Sequence, residues 1–274
     1  MQVAGRVFNR EGKVLVLADA FARVTIELDR PVSLEPGDLA IVSARPGHPR
    51  MSHGRVVSRT PCPTPTSEGD FYRLVFGGEA ELLRDSARAA AAIRAFFDER
   101  NFVEVTTPLR VPAPGVDFHV DAIAASGQYL ITSPEHHMKR LLVGGVPRLF
   151  QLARVARANE QGPLHASEFT MLEWYRAFAG LEEILRDTEE LVRSVVRGLA
   201  GEDEVFVLGH RKVNVSGGFE RLTVREAFQR FAGIKDAARL AARDEDRYFE
   251  LLVSRVEPEL AKLPRPVFLT HYPI

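Results

Sequence analysis

The stretch 154–176 (RVARANEQGPLHASEFTMLEWYR) gathers an arginine, Arg157, a histidine, His165, an aromatic ring, Phe169, and the run Glu173, Trp174 and Tyr175. These residue types suit the holding of a polyphosphate. A guanidinium grips phosphate oxygens two at a time, and a phenylalanine face can carry a purine ring. The elements needed to position them can be read locally. Phe150–Val155 (FQLARV) is apolar and extended, Ala158–Ser167 holds Gly162, Pro163 and polar residues as a loop does, and Phe169–Tyr175 alternates as a strand. The stretch therefore predicts a hairpin with Arg157 ending one strand and His165 in the loop. Residue types alone leave a second reading open, a surface hairpin whose arginine and histidine are merely solvated.

The same stretch resembles motif 2 of the class II aminoacyl-tRNA synthetases, in the form used by the lysyl enzymes. EFTMLEWYR (Glu168–Arg176) most resembles the lysyl-synthetase-like ligases that attach β-lysine to elongation factor P, where a lysyl-tRNA synthetase usually reads EFTMMELY. TSPEHHMKRLL (Thr132–Leu142) points the same way, and the resemblance runs from about Glu81 to Ile274. It implies ATP as co-substrate, with Mg²⁺ carried in on its phosphates. Arg157 is then the arginine on the α-phosphate and the substrate carboxylate, His165 approaches the γ-phosphate, and Phe169 stacks on adenine. The family places a glutamate two residues after the arginine. Here Asn159 holds that position and Glu160 follows, so either Glu160 substitutes or backbone groups hold adenine. Ala166 stands where the family tends to carry asparagine.

For a substrate with two amines, the resemblance implies that Ser133 and Glu135 of TSPE attend the amino acid, with Glu135 on the backbone-side amine and Tyr175 near the side-chain amine. A carboxylate facing an ammonium is a strong, charge-assisted contact. The plainer alternatives are a helix N-terminal acid favoured by the macrodipole for Glu135 and a core-edge aromatic for Tyr175. FFDERNFVEVTTP (Phe96–Pro108) resembles motif 1, which implies a homodimer; without its neighbours it is a generic helix–strand unit.

The chain as a whole predicts an α+β architecture: a class II synthetase-like antiparallel sheet flanked by helices, preceded by a small OB-like β-barrel. The barrel occupies 1–58, with strands over Val3–Phe8, Lys13–Ala18, Arg23–Leu28 and Asp38–Ser43 and a turn at Glu35–Asp38. It offers only Phe8 and Phe21 as stacking rings, so a packing or adaptor role is preferred to anticodon reading. A Pro-rich linker covers 59–70, with Pro61, Pro63 and Pro65. The catalytic domain is 71–274. Its helices are expected over Glu79–Arg100, with Ala89, Ile93, Phe96 and Phe97 on one stripe, and over Glu135–Val143, ended by Gly144-Gly145. Others follow over Leu181–Leu199, Thr223–Phe231 and Tyr248–Leu260. Strands are expected at Phe102–Thr106 and Pro266–His271.

Composition sets outer bounds. A chain of 274 residues gives a prior of about two domains. A net charge of −1 excludes bulk electrostatic coating of nucleic acid but not a local basic patch. Cys62 is the sole cysteine, so no disulfide forms within the chain. With no membrane-length apolar run and no signal-peptide core, a soluble cytoplasmic protein is expected. No metal site is expected. His136 and His137 diverge by ~100° on a helix, and no HExxH or CxxC spacing occurs. Gly217-Gly218 is not followed by GK[ST] and reads as a turn.

In the resembled family a glutamate-bearing strand and motif 3, with a glycine-rich turn and an arginine, come after FLTHYPI. No such pattern occurs in this sequence, so the domain is expected to be truncated before motif 3 and the 274 residues alone to be inactive. The expected function is ATP-dependent activation of lysine or β-lysine and transfer to a lysine of elongation factor P. The alternatives are a lysyl-tRNA synthetase acting on tRNA-Lys and a non-catalytic synthetase-like binding module.

Overall fold

The structure, a computed structural model, describes residues 1–114, 120–162, 165–207 and 211–273. Pro163, part of the expected hairpin loop, and Ile274 lie outside the described residues. The chain divides into two compact units, Met1–Ala87 and Arg88–Ile274.

The first unit is built on a closed barrel of β1 (Gln2–Glu11), β2 (Val14–Ala18), β3 (Arg23–Leu28), β4 (Leu39–Arg45) and β5 (Met51–Thr60), in the order β1-β2-β3-β5-β4. Alternation places Val7, Leu15, Leu17, Ile26, Leu28 and Val42 inside it. The β3–β5 pair is parallel and the others antiparallel. The sequence reading anticipates four of these strands and omits β5. Its polar run SHGRVVSRT carries no apolar alternation, and Gly54 looks like a turn. Gly54 is there because a Cβ would lie 2.6 Å from Ile26 Cγ2, so only glycine lets β5 close against β3. Helix α1 (Asp70–Val75) follows. Its neighbour Phe76 stacks on Phe8 at 4.6 Å between ring centroids. Arg23 lies 4.1 Å from the Phe8 ring, and Arg84 lies 4.0 Å from that of Phe21.

The remaining helices are α2 (Glu79–Asp98), α3 (Glu135–Val143), α4 (Leu181–Ala200), α5 (Val224–Ala227), α6 (Ala237–Arg243), α7 (Glu245–Leu251) and α8 (Glu257–Leu260). The remaining strands are β6 (Val103–Glu104), β7 (Arg110–Val111), β8 (Ala124–Ala125), β9 (Gln128–Leu130), β10 (Arg148–Ala156), β11 (Glu168–Arg176), β12 (Glu204–Val207), β13 (Arg211–Asn214), β14 (Glu220–Thr223) and β15 (Val267–Thr270). The architecture is mixed α+β. Among the described residues the sheet around the hairpin has three strands, β11-β10-β6. β10 and β11 are antiparallel as expected, but β6 runs parallel to β10, and the crossover between these two strands includes α3.

Two expected helices prove to be composite. Thr223 caps α5 and exchanges hydrogen bonds with Glu226, after which Phe228–Ala232 winds as a π-helical turn. The expected helix over Tyr248–Leu260 is α7, a π-helical turn at Leu252–Val256, and α8 opened by Pro258. α6 is not anticipated. Asp236 caps it through the Arg239 N–H, a signal that the sequence reading passes over.

Candidate functional site

The β10–β11 hairpin has two faces, and they do different work. Phe150, Leu172 and Trp174 point to one side. There they join Phe96 and Phe97 of α2, Phe102, and Leu191 and Val195 of α4 in a core. Phe97 is fully buried and stacks on Phe150 at 4.4 Å. Arg176 anchors the end of β11 to α4 with hydrogen bonds of 2.8 and 3.0 Å to the two oxygens of Asp187, whose side chain is 6% exposed. The hairpin is thus bolted down from behind.

The opposite face carries the polar side chains of the candidate site. Register pairs Val155 with Phe169, Ala153 with Met171, Gln151 with Glu173 and Leu149 with Tyr175. Residues two apart share a side of a strand, so Phe169, Glu173 and Tyr175 line one face. The segment leading into α3 lies against them. Ser133 Oγ accepts a hydrogen bond from the Glu135 N–H at 3.1 Å and donates one to Glu173 Oε2 at 2.9 Å. Tyr175 donates its hydroxyl to Glu173 Oε1 at 2.5 Å. Glu135 accepts from Lys139, one turn along α3. The Tyr175 phenol is held far above the ordinary tyrosine range, first by burial, then by its bond to Glu173, then by the charges of Glu173 and Glu135. Lys139 is also raised, by its bond to Glu135, by that carboxylate's charge and by Glu173. Two carboxylates, a phenol and an ammonium therefore share one electrostatic neighbourhood. Behind them, buried Gln151 accepts a 3.0 Å hydrogen bond from Thr107.

Arg157 stands at the far end of the same face. Its backbone N–H bonds to Ser167 O at 2.8 Å, closing the hairpin. Its Nε donates to Thr132 O at 3.2 Å, and its Nη1 reaches Glu160 Oε1 only at 3.5 Å. The guanidinium carbon lies 5.3 Å from the Phe169 ring centre. Held this loosely and 22% exposed, the guanidinium keeps donors for an anion. The segment Thr132–Glu135 joins the two ends, since Thr132 meets Arg157 and Ser133 meets Glu173.

The expected residues thus fall into three sets. Arg157, Glu160 and Phe169 come together, as do Ser133, Glu135 and Tyr175. Asn159 and His165 join neither set. Asn159 adopts a left-handed turn (φ 63°) and reaches Asp121 at 3.4 Å. His165 pairs its backbone with Gly162, and its ring is exposed without a partner among the described residues. Glu173, the acceptor at the centre, is absent from the expected site. The two-residue alternation with Phe169 and Tyr175 is the signal that would have found it. Among the described residues no group of three or more His, Cys, Asp or Glu side chains is arranged to hold a metal ion, and no helix is long and apolar enough to cross a membrane. The guanidinium donors at the Arg157 end fit a polyphosphate, and the carboxylate acceptors at the Glu173 end fit cationic groups.

The model of the family "tRNA synthetases class II (D, K and N)" matches residues 72–274. The elongation factor P–(R)-β-lysine ligase of Erwinia tasmaniensis is 35% identical over 210 residues, which is 71% of this chain and 62% of that protein. The ligase of the same name from Pectobacterium atrosepticum is 35% identical over 211 residues, with the same shares covered. The lysine–tRNA ligase of Magnetococcus marinus is 32% identical over 219 residues, 71% of this chain and 43% of that protein. The chain spans less than two thirds of the length of these relatives.

Proposed function

The chain belongs to the class II tRNA synthetases of the D, K and N type, and from that membership we propose that it activates lysine or β-lysine with ATP and passes the acyl group to a lysine of elongation factor P. The observation that carries the reading is the Glu173 carboxylate, preset by Ser133 and Tyr175, beside the second carboxylate of Glu135. A pair of half-buried acids suits a substrate with two ammonium groups. Glu173 and Tyr175 take the side-chain amine, and Ser133 and Glu135 attend the other.

Arg157 receives the substrate carboxylate and the α-phosphate, with Phe169 beside the adenine. Glu160, near Arg157, substitutes for the family's glutamate at Asn159, while Asn159 and His165 lie in the loop that would cover the phosphates. A carboxylate oxygen of the amino acid attacks the α-phosphorus, and the bond to pyrophosphate breaks. Mg²⁺ bound to the ATP phosphates would offset part of their charge. The ε-amine of the acceptor lysine then attacks the acyl carbonyl carbon, AMP leaves, and the amine proton passes to water. No side chain of the protein forms a covalent bond. Positioning and the guanidinium charge supply the acceleration.

The exclusively elongation-factor-directed reading is favoured over tRNA because the two barrel rings available for base stacking are already engaged, Phe8 by Phe76 and Arg23, and Phe21 by Arg84. The OB-like barrel then packs or adapts. A soluble cytoplasmic homodimer through α2 and β6, where Val103 is half-exposed, completes the reading. The test is mass spectrometry of elongation factor P after incubation with ATP, lysine or β-lysine and the protein. A gain of one lysyl residue on a single lysine is expected. An unmodified factor with charged tRNA-Lys would replace this reading with the tRNA ligase.

A further inference from the structure

The two carboxylates of the site are not in the same state. Both Glu173 oxygens are bonded by neutral hydroxyls, those of Ser133 and Tyr175, which orient the carboxylate and place no cation in hydrogen-bond contact with it. Glu135 is different, because the ammonium of Lys139 is bonded to its Oε1. Lys139 sits four residues along α3, the spacing at which a helical side chain folds back over the preceding turn. A lysine side chain belonging to the protein itself therefore occupies the carboxylate that an amine of the substrate would need.

We propose that Lys139 acts as an internal stand-in for the second ammonium of the substrate. It holds Glu135 in the free protein and is displaced only by a ligand with two correctly spaced ammonium groups. This rests on the reading of the site as one for a lysine-type amino acid.

Several features of the structure support it. Glu135 and Lys139 are both substantially exposed, 39% and 54% at the side chain, so the pair can open without disturbing the core. Lys139 can leave towards solvent, since α3 buries Met138 and not Lys139. Met138, fully buried, fixes the helix while the lysine moves. The field of Glu173 also reaches Lys139, so the ammonium screens both acids in the free state. A ligand bearing a single ammonium at the side-chain end would bind at Glu173 and leave the Lys139–Glu135 pair closed. A ligand with both would have to exchange one ion pair for another. The net affinity gained at Glu135 is then small, while a mono-ammonium competitor gains nothing there. In the ordinary alternative, Lys139 is only a helix-stabilising partner that keeps Glu135 in its rotamer.

The test is calorimetric titration of the protein and of its Lys139→Met and Lys139→Arg variants with lysine and with 6-aminohexanoate, which lacks the second amine. Methionine keeps length and helix propensity and removes the charge. The proposal expects Lys139→Met to bind lysine about three- to tenfold more tightly, the range that loss of one nearby partly exposed charge produces. The gain for 6-aminohexanoate should be smaller, and Lys139→Arg should behave as the parent. Weaker lysine binding by Lys139→Met would overturn it in favour of the helix-partner role. Equal gains for both ligands would overturn it in favour of a general change in pocket charge. Absence of lysine binding by the parent protein would instead remove the functional reading on which the proposal stands. Circular dichroism of the exposed-site variants excludes loss of α3.

Discussion

Tyr175 and Glu173 lie on the same side of β11, two residues apart, and the tyrosine hydroxyl donates to the glutamate at 2.5 Å. Ser133 donates to the other oxygen from a different element. The carboxylate is therefore fixed from two directions before any ligand arrives, which lowers the ordering cost of binding.

Glu173→Gln should keep much of the geometry and lose the charge. Replacing a charged acceptor costs about 1.5–3 kcal/mol, so lysine affinity should fall roughly ten- to hundredfold. Calorimetry with lysine reads this directly, and unchanged affinity would remove Glu173 from the site.

Tyr175 gives a pH signature. Its folded-state pKa is raised, so the native protein holds the phenolic proton more tightly than the unfolded chain does. The stabilisation is fully present below the ordinary tyrosine pKa of about 10 and is lost as pH rises beyond it. Urea unfolding should show stability falling on that alkaline side, and the fall should be shallower in Tyr175→Phe. A parallel fall in both proteins would contradict the coupling.

Arg176 and Asp187 form a two-point ion pair with the carboxylate nearly buried. Asp187→Ala leaves the guanidinium without its partner and should cost about 3 kcal/mol, as the breaking of a buried pair does. Because this pair anchors β11 to α4, lysine binding should weaken as well. Unfolding midpoints and lysine titration check the two effects separately.

Phe97 is the centre of the core behind the hairpin, in contact with Phe96, Phe102, Phe150 and Trp174. Phe97→Ala should destabilise by about 3–5 kcal/mol, whereas Phe97→Leu should cost less. A small loss on Phe97→Ala would mean that the aromatic cluster does not hold the hairpin.

The sequence conveys this site unevenly. The hairpin strands and α3 were legible because their periods are clean and their ends are marked by Gly144-Gly145 and by the polar loop. Arg157, Ser133 and Glu135 were legible as parts of long motifs. Glu173 was hidden in plain view, since reading Tyr175 as the contact made the glutamate two residues earlier look like one polar position among others. The hydrogen bond that Glu173 accepts from Ser133 is visible only when the strand is folded against a residue 40 positions earlier in sequence. Strand β5 was illegible for a different reason: its polar residues face outward from a small barrel, and its glycine serves a close approach that no local pattern announces.

If the acids at Glu173 and Glu135 recognise a side-chain and a backbone-side ammonium on one ligand, calorimetric titration with lysine and with Nε-acetyllysine will separate the two ligands. Lysine should bind, and acetylation, which removes the ammonium at Glu173, should weaken binding by at least about tenfold, one charge-assisted contact. Equal affinity for the two ligands would contradict it.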